Sequence, residues 1–358
     1  MCVFRACTLL GLVAAMSISP ASAIVTENQA TSETDPSSAL GIDWDHVYNY
    51  KGATAVAVHP YWLLTAAHVA DDATSWSTTV GSTTYTEEEL VYHSASDDPD
   101  HTSDADLALV RLDHALPGYY DIYTGTYPAP PPPMTEKLDA AIIGFGRAGT
   151  VVSGGESYSE KYGTDGTKRW GTNKVDGTET ISSRGYVYDG IRLGFSTNTD
   201  ATAYEAGAAT FDSGGGVFVE DPNDSGQWKL GGTITVVFTN VADERTGTGA
   251  VEVGAYETWI TGNTPFPGDF NGDGAVAQGD LDLVLLNWGS TAGAPEDWVN
   301  DAPAVGELIG QGYLDKVLLN WGAGTAPAST VPEPLTMALL GLGGLGLLAR
   351  RRRQATSG

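Results

Sequence analysis

The stretch TFDSGGGVFV, residues 210–219, places a serine between an aspartate and three glycines, at the start of a run of strand-forming residues. Glycine-rich turns that contain Asp and Ser are common, so this stretch alone leaves two interpretations open. Ser213 is either a nucleophile or the polar corner of an ordinary turn. The other motifs of the chain, and their order, decide between the two.

Two short motifs precede this stretch. The motif TAAH, residues 65–68, follows an apolar strand, and Asp106 opens the segment DLALVRL. A serine hydroxyl needs a base within reach before it attacks a carbonyl, and histidine has a pKa near neutrality. The base in turn needs a carboxylate that fixes its tautomer. The order His68, Asp106, Ser213 therefore predicts a nucleophilic triad, with Asp104 as the competing carboxylate.

The region around these motifs is rich in β-forming residues. Residues 24–263 contain many Gly, Thr, Ser, Val and Tyr in short alternating runs. Many short strands bounded by turn residues are typical of an all-β barrel or sandwich. The stretch TYPAPPPPM, residues 126–134, divides the region into comparable halves, and polyproline is stiff enough to connect two barrels. Near its end, VEVGAYETWI, residues 251–260, favours a closing helix.

Residues 24–262 resemble the secreted serine endopeptidases of the trypsin/chymotrypsin family. The segments LLTAAH, DLALVRL, GFG and DSGGG stand where that family carries its histidine, aspartate, second-barrel and nucleophile motifs. The resemblance implies two six-stranded antiparallel β-barrels with a connector at about residues 115–137. It also implies that His68 is the general base, Asp106 its orienter and Ser213 the nucleophile. Four other histidines lack such a context and are expected at the surface: His59, His93, His101 and His114.

The first 23 residues have a single arginine, an apolar run and a small-x-small ending, the layout of a secretory signal peptide. Both cysteines of the chain, Cys2 and Cys7, lie in this segment, so the mature protein is expected to have no disulfide. The chain has 45 Asp+Glu against 18 Lys+Arg and a formal charge of −27, which excludes a nucleic-acid-binding protein.

The resemblance has two consequences for the backbone near Ser213. Signal cleavage leaves Ile24 at the N-terminus, and the family pairs that amino group with the aspartate before the nucleophile, here Asp212. The alternative is that residues 24–40 form a floppy polar leader. Phe211 stands where the family has glycine, so the N–H groups of Phe211 and Ser213 would form the oxyanion hole. The Cβ of Phe211 opposes the backbone angles that glycine adopts at that position.

The specificity pocket is expected to be uncharged. Gly207 stands six residues before Ser213, where trypsin-like members carry an acidic residue, and GGTITVVF, residues 231–238, would form the wall. This alignment predicts a shallow pocket for small aliphatic side chains. In a shifted alignment Glu205 would be an acidic wall residue.

A separate motif follows at DFNGDGAVAQGD, residues 269–280, with oxygen ligands at positions 1, 3, 5, 7 and 12 of a calcium loop. These are Asp269, Asn271, Asp273, the backbone carbonyl of Ala275, and Asp280. With its repeat GDLDLVLLNWG and GYLDKVLLNWG, region 263–322 resembles a dockerin type I module. The resemblance implies a structural Ca²⁺ and leaves a cohesin-like partner open. The second copy lacks the ligands unless Asn300 and Asp301 contribute.

After a linker at 323–330, residues 331–358 contain Pro-Glu-Pro, an apolar segment at 335–349 and an arginine tail. A helix of that length covers about 22 Å, short of the roughly 30 Å hydrocarbon core. The three parts resemble the PEP-CTERM sorting signal. That implies temporary anchoring in the inner membrane, cleavage by an exosortase, and release to the envelope or extracellular matrix. A permanent anchor is the alternative.

Together these features predict an exported serine endopeptidase that works through an acyl-enzyme. The alternative is a catalytically inactive, protease-like surface or matrix binding protein that carries a calcium module. Phe211 favours the alternative, while the complete set of triad residues favours the enzyme.

Overall fold

The structure is a computed structural model that describes residues 24–26, 29–94, 104–128, 137–152, 156–161, 166–198, 201–224, 226–240 and 242–324. The predicted signal peptide, most of the proline-rich connector, and the apolar segment at 335–349 lie outside these ranges. The chain divides into two compact units between Thr264 and Pro265. Within the described ranges, no helix is long and apolar enough to cross a membrane.

The first half of unit 1 is built from short strands and single-turn helices. Its elements are β1 (Val25–Thr26), α1 (Gln29–Ser32), α2 (Ser37–Leu40), β2 (Val47–Tyr50), β3 (Ala53–His59), β4 (Trp62–Thr65), α3 (Ala67–Ala70), β5 (Ser77–Val80), β6 (Thr83–Tyr92) and β7 (Ala108–Leu112). Strands β2 to β7 form one antiparallel sheet in the order β2-β3-β4-β7-β6-β5. This half-barrel has the six strands that the resemblance implies.

The second half is a larger antiparallel sheet. Its elements are β8 (Asp139–Gly144), β9 (Gly149–Val151), β10 (Tyr158–Glu160), β11 (Arg169–Lys174), β12 (Gly177–Ser183), β13 (Tyr186–Gly194), β14 (Ala206–Gly207), β15 (Gly216–Glu220), β16 (Trp228–Thr239), β17 (Arg245–Glu252), a 3-10 turn (Val253–Tyr256) and α4 (Glu257–Gly262). Strands β11-β8-β15-β16-β17-β13 form a continuous path of pairings. The closing helix therefore lies where the sequence favours one.

The second sheet departs from the implied count of six strands. It has nine strands in the described ranges, because three strands extend the six-stranded path. Strand β12 makes a hairpin with β13, and the β9–β10 hairpin pairs with the first residue of β17. Strand β14 pairs instead with the N-terminal strand β1. The fold is all-β and consists of two antiparallel half-barrels.

Apolar side chains from both half-barrels share one core. Leu64 and Leu109 of the first sheet belong to the same buried cluster as Ile143, Phe218 and Val251 of the second. Burial of such side chains stabilises a fold by about 1.5–3 kcal/mol each. This shared core fixes the loops that enter from the two halves, and these loops carry the candidate site.

The second unit contains α5 (Gln278–Leu286) and α6 (Gln311–Leu319), one from each copy of the repeat. Phe270, Val276, Val284, Trp298 and Val317 are buried in its own small core. Each helix ends at an asparagine cap, Asn287 or Asn320, whose side chain donates back to a helix carbonyl.

Candidate active site

His68 and Asp106 are joined by two hydrogen bonds. His68 Nδ1 lies 2.7 Å from Asp106 Oδ2, and the His68 backbone N–H donates to Asp106 Oδ1 at 3.0 Å. The Asp106 side chain is fully buried, whereas the His68 side chain keeps 19% of its surface exposed. A carboxylate at Nδ1 favours the tautomer with the proton on Nδ1, which leaves Nε2 as the acceptor. The competing Asp104 does not bond His68.

The local sequence explains why His68 stands there. Strand β4 is buried along its length and pairs on both sides, with β3 and β7. Ala66 and Ala67 are small enough to let the following single-turn helix pack directly on the core, where both are buried. Helix α3 therefore starts at a fixed position and turns His68 toward the start of β7.

The Ser213 loop is tied to the same strands. The Thr54 N–H donates to the Ser213 carbonyl at 3.0 Å, and Thr65 Oγ1 donates to the Thr54 carbonyl at 2.7 Å. Gly214 has φ +81°, and a Cβ there would lie 1.9 Å from the Thr54 oxygen. Glycine is required at this point by both conformation and space. Strands β3 and β4 thus bring Ser213 to the side of the molecule that carries His68.

No hydrogen bond joins the Ser213 hydroxyl to the His68 ring in the part of the chain that the structure describes. Ser213 is partly exposed and lines a cavity. Catalytic hydrogen bonds are often long or poorly aligned in ligand-free structures and shorten when substrate binds. The geometry accordingly brings the His68–Asp106 pair together and leaves the serine hydroxyl free to rotate.

Phe211 adopts a backbone conformation that favours glycine, even though it carries a side chain. Its φ is +77°, in the left-handed region that favours glycine. The Arg147 guanidinium carbon lies 5.1 Å from the centre of the Phe211 ring, a cation–π contact. Neither the Phe211 N–H nor the Ser213 N–H donates a hydrogen bond to any described residue. Both backbone donors that an oxyanion hole needs are therefore available.

Asp212 lies under the N-terminal strand and is fully buried. It accepts hydrogen bonds from the N–H groups of Gly146 at 2.7 Å, Ala209 at 2.8 Å and Ile24 at 3.3 Å. Ile24 and Val25 are also fully buried. Burial raises the pKa of Asp212 to about 7. A positive charge at the Ile24 nitrogen would offset that cost and keep the carboxylate ionised.

The cavity beside Ser213 differs from the expected uncharged pocket. Its volume is about 400 Å³, and Val236 and Val237 line one wall, as the sequence predicts. Gly207 does not line it, because β14 pairs with β1 and a Cβ at Gly207 would meet the Tyr158 ring. Glu205 is buried elsewhere, bonded to Thr202 and Ser196. The charged residues of the lining are two arginines that the sequence alignment missed.

The sequence also gave no signal for Glu160. Its Oε1 accepts the Thr210 N–H at 3.0 Å and the Arg245 Nε–H at 2.9 Å, while Oε2 accepts the Thr210 hydroxyl at 2.7 Å. Thr210 directly precedes Phe211, so Glu160 holds one end of the loop that carries the oxyanion donors. The strand that carries Glu160 is three residues long and has no recognisable motif.

His59 and His93 are half-buried, so the expectation of surface positions is wrong for both. His93 Nδ1 accepts the Ala105 N–H at 3.0 Å, beside Asp106, and its ring contacts Tyr256 and Trp259. Burial lowers the pKa of both histidines, that of His59 to about 4. His93 therefore helps to hold the segment that presents Asp106. His114 is exposed as expected, and His101 lies outside the described residues.

In the predicted calcium loop, residues 269–280, two carboxylates accept hydrogen bonds from the backbone. Asp269 accepts them from the N–H groups of Gly272 and Gly274. Asp280 accepts them from the N–H groups of Phe270, Asn271 and Ala277. Asp273 Oδ2 accepts from Asn271 Nδ2 at 3.0 Å. Burial and the charges of Asp280 and Asp273 raise the pKa of Asp269. Over the described ranges, no group of three or more His, Cys, Asp or Glu side chains is arranged to hold a metal ion.

The second copy of the repeat is stabilised without such a loop. Lys316 forms an ion pair with Asp301, and the Tyr313 hydroxyl donates to Glu307 at 2.6 Å. The Asn300 side chain donates to the Asp269 carbonyl at 2.9 Å. Asn300 and Asp301 are thus engaged in contacts within the protein rather than grouped as ligands.

Comparisons with known proteins identify two regions. A family model described as Trypsin matches residues 32–260, and one described as PEP-CTERM protein-sorting motif matches residues 330–353. No curated protein matches the chain. Among solved structures, mouse neuropsin, a serine protease expressed in the limbic system of the brain, is 16% identical; the match covers 58% of this chain and 86% of that one, with a TM-score of 0.39. Rv3671c of M. tuberculosis, in an inactive mutant form, is 17% identical; the match covers 60% and 83%, with a TM-score of 0.36.

Proposed function

The chain belongs to the trypsin family, and we propose that it is an exported serine endopeptidase in which Ser213 is the nucleophile, His68 the general base and Asp106 its orienter. The double hydrogen bond between His68 and Asp106 is the observation that carries this proposal. It fixes the imidazole in one orientation and one tautomer, as a general base requires.

The reaction begins when the Ser213 hydroxyl attacks the carbonyl carbon of a peptide bond and its proton passes to His68 Nε2. The buried Asp106 carboxylate stabilises the resulting imidazolium. His68 then returns the proton to the departing amine, which leaves an ester on Ser213. A water molecule then attacks this ester as His68 takes its proton. When the second tetrahedral intermediate breaks down, the acid product leaves and His68 returns the proton to the Ser213 oxygen.

The negative oxygen of each tetrahedral intermediate needs two backbone donors. The N–H groups of Phe211 and Ser213 would supply them, and the positive φ of Phe211 supports this role because it lies in the left-handed region that glycine adopts readily. One misplaced donor lowers turnover by about 10²–10³. Signal cleavage before Ile24 would place an ammonium group beside Asp212. This group would stabilise the loop that carries Asp212 and Ser213.

The PEP-CTERM motif indicates an exported protein that is sorted to the cell envelope and processed by an exosortase. Transient anchoring in the inner membrane through residues 335–349, before cleavage near Pro-Glu-Pro, is part of our proposal. The signal peptide at residues 1–23 would start the export. The protease domain then acts on protein substrates at the envelope or outside the cell.

The second unit is proposed to bind one structural Ca²⁺. Carboxylate and amide oxygens are the ligands that Ca²⁺ prefers, so the donor types suit the ion, but the side chains would have to move closer together to hold it. Burial, and after it the charges of Asp280 and Asp273, raise the pKa of Asp269, and a bound cation would favour its ionised form. Asp269, Asn271, Asp273, Asp280 and the Ala275 carbonyl would hold the ion, which would fix the loop before α5.

The dockerin resemblance leaves a cohesin-like partner open, and one surface feature supports such a partner. Both copies of the repeat expose apolar side chains that the small core leaves uncovered: Leu285, Leu286, Trp288, Leu318, Leu319 and Trp321. Exposed patches of this kind mark protein interaction sites. This partner is proposed on the resemblance together with that patch.

A serine-reactive fluorophosphonate probe tests the main proposal. We expect stoichiometric labelling of the signal-cleaved protein at Ser213, mapped by peptide mass spectrometry, and its loss in His68→Ala. The probe bonds only to a serine that a base and an oxyanion hole activate. A folded protein that begins at Ile24 and is not labelled would instead be the inactive binding protein.

A further inference from the structure

The cavity beside Ser213 has walls of different chemistry. Its residues come from the loop before β15, from the middle of β16, from the turn between β12 and β13, and from the start of β17. They are Ala209, Thr210, Phe211, Ser213, Ile234, Thr235, Val236, Val237, Ser183, Arg184 and Arg245. The aliphatic residues form one wall, two arginines contribute positive charge, and this set contains no Asp or Glu.

Arg245 contributes a charge that is largely balanced. Its Nε donates to Glu160 at 2.9 Å, and its Nη1 lies 4.0 Å from the highly exposed Asp243 carboxylate. Glu160 is also shared with Arg147, whose Nη1 lies 3.8 Å from it. Since Glu160 also binds Thr210, one buried carboxylate serves two guanidinium groups and a threonine. Glu160 and Asp243 therefore balance the charges of Arg147 and Arg245 behind the cavity.

Arg184 contributes a charge that no carboxylate of the described residues pairs. Arg184 and Gly185 both have positive φ, as the two-residue turn of a tight hairpin requires, and Ser183 pairs with Tyr186 across it. This turn places the guanidinium at the cavity, where Nη1 donates to the Thr235 carbonyl at 2.9 Å. Among the described residues, no Asp or Glu forms an ion pair with Arg184.

This local charge contrasts with the protein as a whole. The chain has 45 acidic and 18 basic residues, so the Arg184 guanidinium, which no described carboxylate pairs, opposes the general charge at this cavity. An acidic peptide would be repelled by most of the surface and attracted here. A planar guanidinium also binds a carboxylate through two parallel hydrogen bonds.

We propose that this cavity selects substrates with an acidic side chain, glutamate or aspartate, on the residue whose carbonyl Ser213 attacks. The proposal rests on the proposed function, because the cavity begins at Ser213 and Phe211 and the side chain nearest the attacked carbonyl enters it. The aliphatic wall packs against the methylene groups of that side chain, and Arg184 turns from the Thr235 carbonyl to bind its carboxylate.

Matched fluorogenic peptides that differ only in glutamate, glutamine, valine or lysine at that residue test the proposal. The signal-cleaved protein is used, and its active sites are counted with the fluorophosphonate probe. We expect kcat/KM for the glutamate peptide to exceed that for the glutamine peptide by at least about tenfold. Glutamate forms a charge-assisted pair with the guanidinium, whereas the neutral glutamine does not. High salt should reduce this ratio, because Arg184 is exposed.

Arg184→Gln should lower the glutamate-to-glutamine ratio by about tenfold, the loss of one charge-assisted hydrogen-bonded pair. Arg192→Gln is the matched control: Arg192 is exposed on the same hairpin, pairs with Glu179 and does not line the cavity. It should leave the ratio unchanged.

The two proposals fail in different ways. Absence of probe labelling overturns the proposed function. Labelling together with a preference for glutamine, valine or lysine, or a ratio that Arg184→Gln leaves unchanged, overturns only the acidic selectivity. A preference for valine would support the sequence-based prediction of a pocket for small aliphatic side chains.

Discussion

Asp106 holds His68 at two points, through the imidazole Nδ1 at 2.7 Å and through the backbone N–H at 3.0 Å. One carboxylate therefore fixes both the ring and the main chain that carries it. Because Asp106 is fully buried, water does not compete for these bonds. The pair behaves as one rigid unit that the first half-barrel presents toward Ser213.

Asp106→Asn should lower kcat by about 10⁴, because an amide favours the wrong imidazole tautomer while it leaves the geometry intact. Steady-state cleavage of a peptide substrate, with active sites counted by the probe, measures the effect. Asp104→Asn serves as the control, since Asp104 is a buried carboxylate of the same loop that does not bond His68. An equal loss in both variants would show that the loop, and not the Asp106 carboxylate, is what matters.

A free amino group at Ile24 should be required for full activity. Burial raises the pKa of Asp212 to about 7, so the carboxylate needs a positive partner to stay ionised near neutral pH. A glycine added before Ile24 replaces that ammonium group with an amide and moves the charge away. We expect lower kcat and a loss of stability of several kcal/mol, as when a buried pair loses one partner.

Sequencing the N-terminus of the exported protein is the direct check on this pairing. A start other than Ile24, or equal activity of the extended chain, would remove the ammonium–Asp212 pair from the mechanism.

The Phe211 backbone should already be in its working conformation. Phe211→Gly should therefore leave kcat unchanged, because φ is +77° with the phenylalanine in place. Both variants lose the contact with Arg147, but Phe211→Ala keeps the left-handed strain of roughly 1–2 kcal/mol that glycine relieves, so it should be less stable than the glycine variant by about 1 kcal/mol. Urea unfolding and kcat measure the two effects. A rise of about 10² in the glycine variant would mean that phenylalanine misplaces an oxyanion donor.

The sequence predicts the trypsin-like fold, because the fold depends on local patterns in a fixed order. The triad stays a prediction, of which the structure joins His68 and Asp106. Short runs such as TAAH and DSGGG place His68 and Ser213 next to specific strands, and the strand pattern around them is clear. The two-residue Arg184–Gly185 turn and the short strand of Glu160 carry no such pattern. Their functional positions arise only when distant segments pack together.

The residues that line the cavity beside Ser213 are likewise hard to identify from the sequence. Gly207 is the right distance from Ser213 in sequence, yet the pairing of β14 with β1 turns it away from the cavity. Arg245 and Arg184 enter from other elements instead. Counting along the chain cannot find residues that a neighbouring strand contributes.

Acid should destabilise the protease unit through its half-buried histidines. Burial lowers the pKa of His59 to about 4, from an ordinary value of 6.5. Between these values the unfolded chain binds a proton that the folded chain does not, so stability falls as the pH falls. The expected slope is about 1.4 kcal/mol per pH unit for each such histidine. His59→Gln should flatten the dependence of urea unfolding on pH from 7 to 4.5, whereas the exposed His114→Gln should leave it intact.

Calcium should stabilise the second unit through the first loop alone. Asp269, Asp273 and Asp280 repel one another there, while in the second copy Lys316 already balances Asp301. Ca²⁺ at about 100 times its Kd should add about 2.7 kcal/mol to the free energy of unfolding. Asp269→Asn should abolish that gain, and Asp301→Asn should keep it even though it removes an ion pair. Thermal unfolding in Ca²⁺, in Mg²⁺ and in EDTA, together with calorimetric titration, measures the effect. An unfolding transition that does not respond to Ca²⁺, with no heat of binding, would mean that the hydrogen bonds of Asp269 and Asp280 to the backbone stabilise this loop by themselves.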